Sequence, residues 1–346
     1  PLYEDRYLPR KFKIAIAIPP SNDVDVFTND IGLIAIIEND VLKGFNIAIG
    51  GGLATTHGNP NTYSRLGSII GFTDTEEKTL KAVYEILTIQ RDFGNRVDRK
   101  LSRLKYTVDK LTVEGFKKEL ESRIGFEFEP EKKYTFTERS DRFGWEQNHQ
   151  GKWFYTLFIE HGVVKPEQKQ FLYELAQQDI SNFIFSGNQN LILGEIEDSN
   201  KSKVEALLLQ HNIEKQVSAL RKNSMACVAL PTCPLALAEA QRYLPELVTK
   251  IEPILAKYEL SNDEISIRMT GCPNGCGRPY VAELGFVGTG PEQYNFMLGG
   301  DRFGERLNRI YKEKQTETQI LEEVDVLLGR YVKEKFEKET FGDFTY

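Results

Sequence analysis

The chain has 346 residues, 40% hydrophobic and 27% charged, which is the composition of an ordinary globular protein with room for two or three domains. A net charge of −7 argues against wholesale nucleic-acid binding, and no apolar run approaches the length of a membrane span. No secretory signal is visible and cysteine is sparse, so a cytoplasmic location is expected.

Pro1 is not an initiator, and Pro1 to Arg10 reads like an interior segment, so an N-terminal truncation is expected. Phe12–Pro19 alternates Ile and Ala as a strand does. Ile31–Glu38 and Phe45–Ile49 read as two more, with Asn39-Asp40 as the turn between them. Gly50-Gly51-Gly52 follows, a loop whose backbone can approach something bulky. Apolar residues at Leu80, Val83, Ile86 and Leu87 predict a helix over Glu76–Gln90, running into Gln90-Arg91-Asp92-Phe93-Gly94-Asn95-Arg96; Val113–Arg123 is a second amphipathic helix. A second region starts near Tyr134, with strands expected at Trp153–Glu160, Asn182–Phe185 and Asn190–Leu193 and helices at Pro166–Gln177 and Lys201–His211. From Ser218 a third region is expected to hold a helix over Pro234–Tyr243, Pro234 suiting its first turn, and a strand over Ile265–Thr270. Another strand should end just before Gly285–Gly288, and a long helix should span Thr318–Lys335. The elements interleave without the regularity of a parallel sheet, so the fold class is α+β, mixed sheets with helices. No short repeat or low-complexity segment interrupts the chain.

The chain's four cysteines fall in two tight pairs, Cys227-Val-Ala-Leu-Pro-Thr-Cys233 and, 38 residues on, Cys272-Pro-Asn-Gly-Cys276. Both pairs are punctuated by Pro and by Gly or Thr, which places them on turns. Four thiolates in two local pairs is the ligand count of one [4Fe–4S] cluster. A four-cysteine zinc site, two disulfides and unrelated buried thiols are the other readings. Zinc pairs are usually closer, disulfides need an oxidising compartment, and chance burial does not explain the pairing. Gly271, Gly275 and Gly277 would keep side chains off the inorganic sulfides and present backbone N–H groups to sulfur.

Arg10, Lys11 and Lys13 cluster at the start of the first strand. Lys11 and Lys13 then share a face, where an anion between them would relieve their repulsion, unless they form only a solvated edge. Arg91, Arg96, Arg99, Lys100, Arg103, Lys105 and Lys110 make a set suited to a ligand rich in carboxylates, or else a salt-bridged helix face. His57, after the glycine triplet, reads as structural rather than catalytic, and His149, His161 and His211 have no motif around them.

Met225 to Ala240 and Arg268-Met-Thr-Gly-Cys-Pro-Asn-Gly-Cys-Gly-Arg278 closely resemble the sulfite reductase hemoprotein family, within the siroheme nitrite/sulfite reductases. So do Leu8-Pro-Arg-Lys-Phe-Lys13, Gly44-Phe-Asn46, Gly50-Gly-Gly52, Gln90 to Arg96, Asn188-Gln-Asn-Leu191, Leu298-Gly-Gly300 and Phe341-Gly-Asp-Phe-Thr345, along essentially the whole chain. The resemblance implies a siroheme-binding α+β domain over residues 1–142, a ferredoxin-like half-domain over 143–217 and an iron–sulfur/siroheme domain over 218–346. It implies a [4Fe–4S] cluster on Cys227, Cys233, Cys272 and Cys276, coupled through Cys276 to a siroheme. Lys11 and Lys13 match the lysines that face substrate. Arg10, Gly50, Gly51, Gly52, Arg91, Asn95, Arg96 and Gln189 fall in stretches that approach the siroheme. The implied activity is six-electron reduction of sulfite to sulfide, with a flavoprotein reductase or a ferredoxin as electron donor. The family also has an N-terminal part that this chain would need as a partner. Siroheme nitrite reductase is the nearest alternative; those enzymes tend to carry a Gly-Asn sequence between the first two cysteines, and this chain does not. A non-catalytic iron–sulfur carrier is the alternative of another class, but a carrier has no use for an anion site.

Overall fold

Each of the three sequence regions builds its own sheet. A computed structural model describes residues 2–3, 5–213 and 216–346. Pro1, on which the truncation expectation turns, lies outside the described residues.

The first sheet runs in the order β1 (Ile14–Ala17), β2 (Ile31–Glu38), β3 (Val41–Ile49), β4 (Ser68–Thr73); β1 lies parallel to β2 and the rest are antiparallel. The apolar run of β2 is buried on both faces, which is why it does not alternate. Ile31 and Leu33 pack under the helices α1 (Glu76–Phe93), α2 (Leu104–Leu111) and α3 (Val113–Ile124), while Ile34 joins Val26, Phe27 and Phe136 on the other side. Thr75 caps α1 by accepting from the Lys78 amide at 3.2 Å.

The second sheet has the order β5 (Gly144–Gln147), β6 (Trp153–Leu157), β8 (Leu191–Ile196), β7 (Asn182–Phe185), all antiparallel, with α4 (Pro166–Gln178) and α5 (Asp198–Gln210) packed on it. After the four-residue helix α6 (Ala219–Lys222), the third sheet is mixed. Strands β9 (Ser224–Ala226), β10 (Ile267–Thr270) and β11 (Leu284–Gly290) are parallel neighbours, and β12 (Gln293–Leu298) and β13 (Arg309–Gln315) extend it antiparallel. Helices α7 (Leu244–Lys257) and α8 (Glu317–Glu334) cover one face through Leu247, Ile251, Val324 and Leu328 against Ala226, Ile267 and Met269. The chain closes with α9 (Phe341–Phe344). The class is α+β, as the sequence reads.

Two expectations need correction. Residues 234–243 are not a helix; the helix is α7, which starts at Leu244. The amides of Leu237 and Ala238 donate to the Gly271 carbonyl at 2.7 and 3.1 Å, and that of Gln241 to the Cys227 carbonyl at 3.0 Å, so this segment spends its hydrogen bonds on the cysteine loops. Gly285–Gly288 lie inside β11 rather than beyond a strand. Here Gly288 passes so close to the Gly271 carbonyl that a Cβ would sit 2.6 Å from it.

The three sheets meet on one carboxylate. Asp25 has no solvent exposure and carries ion pairs to Arg139 (2.7 Å), to Arg278 (2.8 Å) and to Arg268. Arg139 also donates to the Val281 carbonyl at 2.8 Å, and Arg278 to the Gly187 carbonyl at 2.8 Å and to Asn188 Oδ1 at 2.9 Å. The first sheet's loop, the linker and the other two units are thereby joined. Burial alone would raise the Asp25 carboxyl, but Arg139, Arg268 and Arg278 outweigh it and hold the group far below the usual carboxylate range. Because its folded pKa is depressed, its stabilising contribution is complete above the unfolded value near pH 4 and is lost progressively as pH falls below it. Asp25→Asn should therefore lower the unfolding free energy by about 3–5 kcal/mol at pH 7. Urea titrations should show the gap to wild type closing below about pH 4; a constant gap down to pH 2 contradicts this account.

Candidate active site

Parallel neighbours deliver the cysteines to one place. Strands β9 and β10 run side by side with Met225 opposite Arg268, so both loops leave from the same end of the sheet, Cys227 directly after β9 and Cys272 two residues after β10. The loops are then stitched together. The Cys227 amide donates to the Met269 carbonyl at 3.2 Å, and the Cys227 sulfur accepts from the Thr270 hydroxyl and the Gly271 amide, both at 3.3 Å. Burial pushes the Cys272 thiol up, the neighbouring Cys276, Cys227 and Cys233 push it further, and the Asn274 N–H opposes them. Cys227, Cys233 and Cys276 therefore lie around Cys272, which is buried, while Cys276 is exposed.

Among the described residues no three His, Cys, Asp or Glu side chains stand close enough to hold a single metal ion. Four thiols on two neighbouring loops match in number the ligands of a [4Fe–4S] cluster, which are spread over several irons. The amide of Gly271 does face sulfur, as expected. The other glycine argument takes a different form: a Cβ on Gly277 would lie 2.4 Å from the Met269 carbonyl, so this glycine lets one cysteine loop lie against the strand that precedes the other.

Lys13 stands near Cys276 and within a group of cations. Lys13 is pushed down by partial burial, then by Lys11 and Arg103, while Cys276 and Asp30 pull it back. Arg10 is pushed down by burial and by Arg99 and Arg103. Lys13 thus stands among Lys11, Arg103 and Cys276, while Arg10 lies near Arg99 and the same Arg103. One buried carboxylate sits among them: Asp30 accepts from Arg103 Nη2 at 2.6 Å and from the Lys13 amide at 2.9 Å. Sequence reasoning placed Lys11, Lys13 and Arg10 here, but it missed Asp30, whose only signal is its place before an apolar strand.

The glycine loop stands behind this group. Gly51 is so close to the Phe27 carbonyl that a Cβ would lie 2.1 Å from it, with Gly50 and Gly52 buried on either side. The loop reaches the second cysteine pair, where the Thr55 amide donates to the Pro273 carbonyl at 2.9 Å. Gln189 reaches the first pair from the second sheet, its Nε2 donating to the Ala226 carbonyl at 2.9 Å while its Oε1 is buried without a hydrogen-bond partner.

Arg91, Asn95 and Arg96 form a buttress one step away. Arg91 pairs with Asp92 at 2.8 Å and donates to the Leu2 carbonyl at 2.8 Å. Arg96 donates to the Tyr7 carbonyl at 2.7 Å, and Asn95 Oδ1 accepts the amides of Val97 and Asp98 at 2.9 and 3.0 Å. These residues hold the segment that leads into Arg10. Lys105, read as part of a carboxylate-binding set, is fully buried on backbone carbonyls instead. His57 is exposed, whereas His161, to which the sequence assigned nothing, is buried with neither ring nitrogen bonded.

Residues 1–128 match the family described as the nitrite and sulphite reductase 4Fe-4S domain, and residues 146–211 the nitrite/sulfite reductase ferredoxin-like half domain. The sulfite reductase [NADPH] hemoprotein beta-component of Leptospira biflexa is 58% identical over 99% of this chain, and that of Staphylococcus saprophyticus 48% identical over 99%. The chain spans 63% and 61% of those two relatives' lengths. The Mycobacterium tuberculosis NirA protein shares the fold, with a TM-score of 0.83 at 24% identity over 98% of this chain and 63% of its own. The chain belongs to the nitrite and sulfite reductase family.

Proposed function

We propose that this chain carries the cofactor-binding and substrate-reducing centre of a sulfite reductase hemoprotein. The observation that carries the reading is Lys13, which stands among Lys11 and Arg103 and within electrostatic reach of the exposed thiol of Cys276. Sulfite becomes hydrogen sulfide by taking up six electrons and eight protons and releasing three waters. Cys227, Cys233, Cys272 and Cys276 would hold a [4Fe–4S] cluster and Cys276 would link it to a siroheme; together, when bound, these groups would supply electrons and a binding site for sulfite. Gln189 and the Gly50–Gly52 loop fit such a macrocycle, because Gln189 carries a buried acceptor that is still unpaired and the loop lies against the second cysteine turn.

The protein's own residues do the rest. Lys11 and Lys13 attract the dianion and hold its oxygens, and their charge stabilises each departing oxide. An ammonium also gives up a proton where a guanidinium does not. Burial first, then crowding by Lys11 and Arg103, lowers the Lys13 ammonium and eases its release of a proton. Asp30 fixes this arrangement, since it holds Arg103 through its side chain and Lys13 through its backbone, leaving the Lys13 ammonium for substrate.

The relatives' names point to NADPH-derived electrons, which supports a flavoprotein reductase as the partner over a ferredoxin. An N-terminal part of the same enzyme is a further partner in this reading. Edge strand β1 and the residue after it turn Ile14, Ile16 and Ile18, 46, 52 and 57% exposed, to one open face where such a part would pack. No helix among the described residues is long and apolar enough to cross a membrane, and we place the protein in the cytoplasm.

Lys13→Met should cut sulfite turnover by about 10²-fold or more while leaving the cofactor absorption unchanged. Loss of the absorption together with turnover would assign Lys13 to cofactor binding instead. Thr270→Val removes one hydrogen bond to the Cys227 sulfur. At about 1 kcal/mol for the lost bond, the cluster midpoint should fall by about 40 mV in a redox titration, and an unchanged midpoint would count against Cys227 as a ligand.

A further inference from the structure

Lys105 has no solvent exposure, yet no carboxylate is among its hydrogen-bond partners. Its ammonium donates to the carbonyls of Gly52 at 3.1 Å, Ala54 at 2.9 Å and Tyr63, and lies over the rings of Tyr106 and Tyr63, 5.0 and 5.5 Å from their centroids. An ammonium has three donors, and all three are spent on the main chain of one loop. Burying a charge without a counter-ion is costly, so a hydrophobic residue of similar length would be the cheaper filler if packing were all that this position required.

The loop it holds leads to the cysteines. Gly52 and Arg65 exchange backbone hydrogen bonds at 2.8 and 3.0 Å, closing the loop at its base. From inside it, the Thr55 amide donates to the Pro273 carbonyl at 2.9 Å, and the Thr55 hydroxyl lies 3.4 Å from the same oxygen, which also accepts from the Tyr280 hydroxyl at 3.0 Å. Pro273 directly follows Cys272 in the turn that ends at Cys276. A short chain of contacts therefore runs from the Lys105 ammonium through the carbonyls of Gly52 and Ala54 and the Thr55 amide to the second cysteine pair.

We propose that Lys105 is a positioning residue whose buried ammonium fixes the 52–63 loop and, through Thr55, the placement of the Cys272–Cys276 turn. The consequence for a cluster rests on the reading of those cysteines as its ligands; the mechanical link does not.

The charges around Lys105 give the link a second handle. Burial first, then Arg103, push its ammonium down to about 8; Asp30 and Asp109 oppose them, and Arg65 adds to the push. The two phenols do not titrate in this range: Tyr63 is pushed up to about 12 by burial and by Asp109, and Tyr106 is raised by burial. A lysine whose folded pKa lies below its unfolded value near 10.4 penalises folding while charged, so its contribution to global stability rises with pH between about 8 and 10. Over the same window it drops from three donors to two and releases a loop carbonyl. Local loosening without global destabilisation is thus the expected mark of this lysine.

Hydrogen–deuterium exchange on the full chain tests this, with iron content recorded alongside. In Lys105→Met, peptides covering residues 50–63 and 270–278 should lose protection about tenfold or more, while those from Leu244–Lys257 stay as in wild type. Lys118→Met, at an exposed position on α3, should change nothing. In the wild type, after correction for intrinsic exchange, the same two segments should loosen between pH 7 and 9. Unchanged protection of both segments in Lys105→Met overturns the proposal, and so does a uniform loss across all peptides, which marks a merely structural lysine. If that variant does not accumulate, the wild-type pH series decides, and constant protection of 50–63 overturns it. A wild type that binds no iron but shows the expected exchange pattern keeps the positioning role and sinks the cluster reading.

Discussion

A single buried carboxylate organises the junction on which the site depends. Asp25 stands in the loop before β2, and the arginines that converge on it come from the linker after the first sheet, from β10 and from the turn after Cys276. Arg268 lies two residues before Thr270 on the strand that leads to Cys272, and Arg278 two residues after Cys276. The ion pairs that join the sheets are therefore anchored on both sides of the second cysteine pair. Removing one member of such a set leaves a charge buried and unpaired, which is why the geometry is all-or-none rather than graded.

On that frame, the site follows from two simpler facts. Parallel strands side by side emit their following loops at the same end, and this brings together two cysteine pairs separated by 38 residues of sequence. The first unit then brings Lys13, with its neighbouring cations, toward the thiol left exposed. Neither unit contains the whole site, because the sulfurs belong to the third region and the cations to the first. Hydrogen bonds from Thr55 to Pro273 and from Gln189 to Ala226 close the remaining gaps between the three sheets.

What was legible in the sequence was local. The strand over Ile31–Glu38 could be read residue for residue, because seven consecutive apolar or small positions between turn signals leave little choice. The paired cysteines could be read because each pair is contained within seven residues or fewer. The helix expected over 234–243 failed because Pro234 gives the same signal whether a helix follows or the chain wraps a neighbour, and here the Gly271 and Cys227 carbonyls won the amides. Helix α2 (Leu104–Leu111) was not delimited because its basic residues read as a carboxylate-binding set or a salt-bridged helix face, whereas Lys105 points inward. The Asp25 junction joins residues more than a hundred positions apart, and no local pattern announces that three arginines share one acid.

The central claim is that the four cysteines surround one cubic iron–sulfur cluster with Cys276 near Lys13. Quantifying iron, zinc and acid-labile sulfide in the chain purified without oxygen tests it most directly. The account predicts about four sulfides and at least four irons per chain, with no stoichiometric zinc. One zinc per chain without labile sulfide would contradict it, and with it the reduction chemistry built on this site.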